Sequence, residues 1–403
     1  MAEKQLAVWL GDRRVGTLVR ERQGGFRFDE EYGAAALTVS REGARNPWTR
    51  GFSRNWFDGL LPEGQQRMAA EGLHGVNGGD TFGLLAEIGW ECAGAVAILP
   101  EGRHPGGGRY EPVTAAQVWE RLDALPRLID DVDRSIRLSL GGAQEKMLLR
   151  QTPTGWALPL DGAPSTHIFK PEPTRFPGLA MAEAWSLRAA ASATKTAKAR
   201  LDVASGHRST LIVTRYDRII TADGVQRIHQ EDMCQVLGSP PTSKYANSTE
   251  PHEPLLSRLA EILLRTSDPT AELQRLLEQV TVNVALGNAD AHAKNYSMVH
   301  SGEAVTLAPL YDVSPTMAFI PTQRRSSLPV GGRFPIDEIT RAHLLAEGRS
   351  WGIPEPLARR LISSTLDSLV AGMQTADRDY PEMAAATRRL INRQFVRLAR
   401  SAW

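Results

Sequence analysis

The segment Gly287-Asn288-Ala289-Asp290-Ala291-His292-Ala293-Lys294-Asn295 alternates polar side chains with alanines. Asp290 is followed five positions later by Asn295. That is the spacing of a kinase-type catalytic loop. The Asp must accept a hydrogen bond from an attacking hydroxyl, and the Asn must reach a magnesium ion on the phosphates. A short loop between them puts both side chains on one side of a cleft. The plain alternative is a helix C-cap with a polar turn, where Asn and Asp are common anyway.

Other segments supply the remaining parts of such a site. Leu307-Ala308-Pro309-Leu310-Tyr311-Asp312 places Asp312 just after an apolar strand end. Magnesium favours one or two carboxylates plus phosphate oxygens, so Asp312 is a candidate second metal ligand; a turn Asp is the alternative. Ser139-Leu140-Gly141-Gly142-Ala143-Gln144-Glu145-Lys146 holds paired glycines that let backbone amides approach phosphate. It is neither a Walker loop nor G-x-G-x-x-G, and a hairpin turn is the alternative. Lys170 ends an apolar strand after that loop, where a phosphate-gripping ammonium sits in kinase-type sites. Glu183 on the next helix is placed to hold Lys170 as an ion pair; two surface charges are the alternative. Gln230-Glu231-Asp232-Met233 lies where an interlobe connection would offer backbone groups to adenine, or where an N-cap would start a helix. Glycine loop, strand lysine, helix glutamate, hinge, Asp-x4-Asn loop and metal Asp is the order of a kinase site. The order carries more weight than any one of these segments.

The elements that must position these residues are legible. Residues 1–102 read as α+β, with strands over 6–10 and 13–19 joined by a Gly-Asp turn. Helical pieces are expected over 56–61 and 62–70, the second opened by Pro62. Asp80 is an N-cap for 82–88, and 93–99 is a buried strand. Residues 104–110 are a glycine-rich linker, and Thr114 with Gln117 makes a capping box. Residues 135–221 are strand-rich, with Ile136, Leu138 and Leu140 alternating and further strands over 147–149, 166–170 and 211–216. A helix covers 179–191. From 231 onward the chain reads as mostly helical. Leu273, Leu276, Leu277, Val280 and Val284 form one apolar face that should stop at Gly287, with later helices over 357–373 and 385–398. The expected fold class is α+β, a two-lobed protein-kinase-like fold. Its parts are an N-terminal α+β subdomain (1–102), a strand-rich lobe (112–230) and a helical lobe (231–403).

Bulk properties agree. The 403 residues are too many for one ordinary core. The net charge of +1 implies no global pull towards nucleic acid or membrane, though Arg388, Arg389, Arg393 and Arg397 could form a local basic patch. Two distant cysteines, Cys92 and Cys234, argue against a disulfide framework or structural zinc, and fit a reducing, cytoplasmic setting. The N-terminal run is broken by Asp12 and two arginines, which is wrong for a signal peptide, and no bilayer-spanning apolar run is evident.

On these motifs the chain resembles the HipA serine/threonine kinase toxins along nearly its whole length. Trp56-Phe57-Asp58-Gly59-Leu60-Leu61-Pro62-Glu63-Gly64 and Cys92-Ala93-Gly94-Ala95-Val96 carry the likeness in the N-terminal part, and the segments from Ser139 to Asp312 carry it beyond. The resemblance implies Asp290 as catalytic base, Asn295 and Asp312 as magnesium ligands, and Lys170 on the ATP phosphates. It also implies nucleotide contacts from Gly141, Gly142, Ala143, Gln144, Lys146 and His292, and hinge backbone groups from Glu231 and Met233. Ser139 matches the serine these kinases autophosphorylate, which ejects the glycine loop and inactivates them. The implied target is an aminoacyl-tRNA synthetase (glutamyl-tRNA synthetase), whose phosphorylation starves translation and promotes dormancy and persistence. The implied partner is a HipB-like helix-turn-helix antitoxin that binds operator DNA. Residues 171–182 are shorter than the family's corresponding segment, where a protein substrate would dock. Two rival readings are a catalytically idle co-repressor scaffold and a small-molecule or lipid phosphotransferase.

Overall fold

The chain is represented by a computed structural model that describes residues 4–21, 25–31, 37–40, 48–106, 108–125, 144–222, 224–247, 253–302, 304–320 and 322–403. Strand 136–140 and its glycine turn therefore lie outside the described residues, as do Ser139, Gly141, Gly142 and Ala143.

Strand Gln5–Leu10 turns through Gly11 into Arg13–Arg20 and pairs on its other edge with Val96–Pro100. Phe26–Glu30 completes a four-stranded antiparallel sheet. Helices Arg50–Asp58, Gly64–His74 and Thr81–Ile88 belong to the same unit. Phe52, Trp56, Phe57 and Phe82 from these helices meet Phe26, Phe28 and Trp48 in one buried aromatic core. Each such ring contributes about 1.5–3 kcal/mol on burial. Asp80 caps its helix as expected, accepting from the Gly83 amide at 2.9 Å. The two earlier helices are shifted from expectation. The first begins at Arg50 because Thr49 caps it by accepting from the Phe52 amide, and the second starts after Glu63 rather than at Pro62.

The strand-rich lobe is a six-stranded antiparallel sheet. Its order is Arg109–Val113, Gly155–Leu160, Met147–Thr152, His167–Pro171, Thr210–Thr214, Ala199–Asp202. The first of these strands starts inside the stretch read as linker, 104–110. Helix Ala115–Ala124 opens with the Thr114/Gln117 capping box and packs Val118 and Leu122 on Phe169 and Ile212. Helix Leu179–Ala190 lies with the opposite face, where Ala180 and Ala184 meet Ile168, Leu211 and Val213. Period-two alternation puts Lys170 on the Ile168 face, towards the helix that carries Glu183.

The last part is helical, with Pro269–Leu286, Arg341–Ser350, Glu355–Asp379 and Ala385–Ala399 as its main helices. Leu276, Leu277, Val280 and Val284 are buried as the helical spacing predicts. Two sheets correct the mostly helical expectation. His229–Asp232 pairs with Ser297–Ser301, which pairs with Ala304–Leu307, and Arg325–Val330 pairs with Arg333–Pro335. Strands of three to six residues are too short to display a period of their own. Gly287 ends the long helix at φ 77°, and a Cβ there would lie 2.5 Å from the Met317 sulfur. Glycine adopts that left-handed turn without steric cost and leaves room for Met317. No helix among the described residues is long and apolar enough to cross a membrane.

The N-terminal unit is fastened to the sheet lobe by buried charges. Arg215 and Arg218 each pair with Glu91, at 3.0 and 2.8 Å, and with Asp217, at 2.7 and 2.9 Å. Burial alone would raise the Glu91 carboxyl, but Arg215 and Arg218 hold it below its ordinary value. Gly94 donates its amide to Asp217 at 2.8 Å and approaches so close that a Cβ would lie 2.6 Å from the Gln230 amide nitrogen. Glu91→Ala leaves Arg215 and Arg218 short of a carboxylate in a dry site, so it should cost about 3–5 kcal/mol in chemical denaturation. An unchanged unfolding midpoint would contradict this.

Candidate active site

A cleft of about 530 Å³ opens between the sheet lobe and the helical lobe. Lys170 enters it from the sheet. Its Nζ lies 3.0 Å from Glu183 Oε1 and 2.8 Å from Asp312 Oδ1. Burial alone would lower this ammonium, but Asp312 and Glu183 carry its pKa above the usual lysine value. Exposure separates the two carboxylates: the Glu183 side chain is 3% exposed and that of Asp312 is 38% exposed. Glu183 is therefore the fixed partner, braced by Ser314 Oγ at 3.4 Å. Asp312 is the one whose second oxygen can meet a ligand. Its backbone takes φ 57°, a region sparsely used by non-glycine residues, and the Asn288 amide holds its carbonyl at 3.2 Å.

The loop after Gly287 brings the second set of groups. Asn288 donates to Asn283 Oδ1 at 2.9 Å and accepts from the Asp290 amide at 3.2 Å, so one amide ties the loop to both the long helix and Asp312. Asp290 lines the cleft, with Ser327 Oγ at 3.5 Å. Burial, followed by the like charge of Asp312, raises its pKa to about 6. Asn295 spends its amide nitrogen on the Asp290 carbonyl at 3.3 Å, which leaves its amide oxygen as the atom able to meet a cation. His292 also lines the cleft; burial, then Lys244, pushes it down to about 4. Its Nδ1 is a buried polar atom without a hydrogen-bond partner among the described residues. Lys146 and Gln144 line the sheet side, and burial together with nearby Lys170 lowers the Lys146 ammonium to about 8.

Asp290, His292, Asn295, Asp312, Lys170, Glu183, Lys146 and Gln144 thus converge on one cleft. Glu231 and Met233 do not. Neither lines it; Gln230 and Asp232 do. Pairing with Ser297–Ser301 turns Glu231 away from the cleft. There it accepts from the Val39 amide at 2.7 Å and Trp56 Nε1 at 3.2 Å. Met233 is buried in the helical core and gives its amide to the Tyr296 carbonyl at 2.9 Å. Asp232 caps the following short helix, so the N-cap alternative holds at that position. Among the cleft residues given no role from sequence are Asn288, Lys244, Tyr245 and Glu63. Asn288 sat in the recognised loop, whereas Lys244 and Tyr245 sit in Pro-Thr-Ser-Lys-Tyr without periodicity. Glu63 comes from the N-terminal unit, and only its motif between Pro62 and Gly64 singled it out.

The donor set fits magnesium only if the ion shares a phosphate. Among the described residues no group of three or more His, Cys, Asp or Glu side chains could hold a metal. One carboxylate and one amide oxygen, completed by phosphate and water, is the coordination magnesium accepts. A cleft with ammonium groups on one wall and oxygen donors on the other can grip a polyphosphate and its cation together.

Comparison with known proteins agrees with this geometry. Residues 138–373 match the family described as the HipA-like C-terminal domain, and residues 6–99 match the HipA N-terminal domain. The chain is 36% identical to the protein Y4mE of Sinorhizobium fredii, over 91% of this chain and 90% of that one. It is 28% identical to the serine/threonine-protein kinase toxin HipA of Shewanella oneidensis, over 74% of this chain and 71% of that one. Its fold matches that of a solved Shewanella oneidensis complex of HipA, HipB and operator DNA. The TM-score is 0.82 at 24% identity, covering 98% of this chain and 96% of the other.

If Asp312 is what raises Asp290 beyond burial, Asp312→Asn should lower the Asp290 midpoint from about 6 in the protein without metal. Carboxyl-carbon NMR titration reads this directly, and an unmoved midpoint would contradict it.

Proposed function

The chain belongs to the HipA family, and on that premise we propose that it is an ATP- and magnesium-dependent protein kinase. It phosphorylates a serine or threonine hydroxyl and is the toxin of a toxin–antitoxin pair. The observation that supports this best is the Lys170–Asp312 contact across the cleft, with Asp290 in the facing loop.

Magnesium and ATP, when bound, supply the phosphoryl group and neutralise part of its charge. Lys170, steadied by Glu183, faces the phosphates, and Lys146 adds a second cation on the same wall. Gln144 and the preceding Gly141, Gly142 and Ala143 would cover the phosphates with backbone amides. Asp312 and the Asn295 amide oxygen would hold the metal. His292 offers a neutral, buried ring nitrogen to the nucleotide. Asp290 orients the attacking hydroxyl and takes its proton as the new oxygen–phosphorus bond forms and the bond from that phosphorus to the bridging oxygen breaks, releasing ADP. The work is positioning and electrostatics in a half-dry cleft rather than covalent chemistry.

Ser139 is the proposed autophosphorylation site, its modification withdrawing the glycine loop and silencing the enzyme. A HipB-like helix-turn-helix antitoxin is the proposed partner, with operator DNA bound through it, in keeping with the HipA–HipB–DNA assembly of the Shewanella relative. The proposed target is an aminoacyl-tRNA synthetase, glutamyl-tRNA synthetase by family resemblance, in a cytoplasmic setting. Its inhibition would stall translation and promote persistence.

Asp290→Asn should reduce phosphoryl transfer by roughly 10²–10⁴-fold while leaving the far-ultraviolet spectrum unchanged. Transfer at the parental rate would show that Asp290 has another role. Incubation of the parent with ATP and magnesium should add one phosphate by intact mass, mapping to Ser139. Active transfer with an unmodified Ser139 peptide would remove the self-inactivation claim.

A further inference from the structure

The N-terminal unit puts a carboxylate into the cleft that the phosphate chemistry above does not use. Glu63 stands just before helix Gly64–His74 and lines the cleft. Its Oε2 accepts from Lys244 Nζ at 2.8 Å. Lys244 is itself fixed to the Asp290 loop, its carbonyl accepting from the Ala293 amide at 3.0 Å. Glu63 Oε1 lies 3.9 Å from Lys294 Nζ, too far for a hydrogen bond. It is a buried oxygen with no hydrogen-bond partner among the described residues. An oxygen in that condition has lost hydration without replacement, which calls for an explanation in a folded protein.

Lys294 locates Glu63 along the cleft. In sequence it precedes Asn295, whose amide oxygen faces the phosphate end. Its Nζ donates to Asp232 Oδ2 at 2.6 Å, on the interlobe strand His229–Asp232, and to the Gly59 carbonyl at 3.1 Å. Glu63 therefore stands between the strand that would face the base and the loop end that would face the phosphates. A nucleotide lying along the cleft presents its sugar there. The other acids of that strand are engaged. Asp232 Oδ1 accepts from the Gln235 amide at 3.0 Å while its Oδ2 holds Lys294. Both oxygens of Glu231 face away, on Val39 and Trp56. Of these three carboxylates, Glu63 is the one with an oxygen that lacks a donor. A ribose carries two vicinal O–H donors, and an ionised carboxylate only accepts. The last torsion of a glutamate is soft, so Oε1 can turn to such a donor.

We propose that Glu63 binds the ribose of the nucleotide, its carboxylate accepting a hydrogen bond from one of the two vicinal hydroxyls. The inference rests on the ATP reading above and names a further residue of that same site. It makes the N-terminal unit a wall of the nucleotide pocket rather than a support beside it. It also makes the site selective for a sugar that carries that hydroxyl.

The test compares diphosphates, so that no phosphoryl transfer intervenes. Binding of ADP, 2′-deoxy-ADP, 3′-deoxy-ADP and inosine diphosphate, each with magnesium, is measured by calorimetry on the full chain. In the parent, one of the two deoxy analogues should bind about ten- to hundredfold more weakly than ADP, the range of a hydrogen bond to a charged group. Glu63→Ala should bring ADP and that analogue to within about twofold of each other. Glu63→Gln keeps a neutral acceptor and should leave an intermediate gap, which also keeps the test open should the alanine variant fail to fold. Deoxy analogues that bind the parent as tightly as ADP overturn the proposal. So does a gap that survives in the variants, since a merely structural Glu63 would weaken every nucleotide alike. Variants that close the gap between ADP and inosine diphosphate instead would put Glu63 on the base and overturn it too. A parent that binds no ADP removes the nucleotide reading itself, and that outcome is read without any variant.

Discussion

One buried ammonium organises the molecule. Lys170 leaves water to sit between Glu183 and Asp312. Desolvating such a charge costs several kcal/mol, and one carboxylate at contact distance returns only about 4 kcal/mol at a surface-like dielectric. Two are needed, and they come from two separate parts of the chain. Glu183 rides the helix packed on the Lys170 strand, whereas Asp312 follows the hairpin of the helical lobe. The pairing thus fixes the width of the cleft. It also leaves an unequal trio, in which the deeper carboxylate stays with lysine and the shallower one faces the solvent side. A polyanion carrying a divalent cation is the ligand that relieves such an arrangement, since phosphate takes the lysine and the metal takes Asp312.

The N-terminal unit takes part in this geometry more closely than an appended domain would. Lys294, inside the loop that bears Asp290 and Asn295, donates to Asp232 at 2.6 Å and to the Gly59 carbonyl at 3.1 Å. Glu63 accepts from Lys244 at 2.8 Å. Burial would raise Glu63, but Lys294 and Lys244 hold it below the ordinary glutamate value. Trp56 gives its indole N–H to Glu231, the residue whose side chain leaves the cleft. Loop, hinge strand and N-terminal helices therefore share one set of polar contacts, and a shift in any of them is felt at Asp290. The charged cluster around Glu91 fastens the same unit to the sheet lobe.

Much of this was legible from residues alone. The strand that carries Lys170, the helix that carries Glu183 and the loop that puts Asp290 and Asn295 in one cleft were legible as positions, because each depends on local periodicity or loop length. The helix ending at Gly287 announced itself through its apolar stripe and the glycine that stops it. At the hinge segment, the side that each side chain faces is not legible locally, for a physical reason. Glu231 and Asp232 are neighbours on a strand, so they point to opposite sides, and only the pairing partner Ser297–Ser301 decides which side is the cleft. The cleft positions of Glu63, Lys244 and Tyr245 were not legible because they depend on contacts between distant segments. Nothing in a run such as Pro-Thr-Ser-Lys-Tyr indicates that its lysine reaches Glu63 or that its tyrosine lines the cleft.

The most direct measurement is a crystal structure of the full chain with magnesium and a non-hydrolysable ATP analogue. Lys170 should keep Glu183 and exchange Asp312 for a phosphate oxygen, while a metal ion bridges Asp312, the Asn295 amide oxygen and the phosphate tail. A nucleotide bound with its phosphates away from Lys170, or one that leaves Lys170 on both carboxylates with no metal at Asp312, would contradict the central claim.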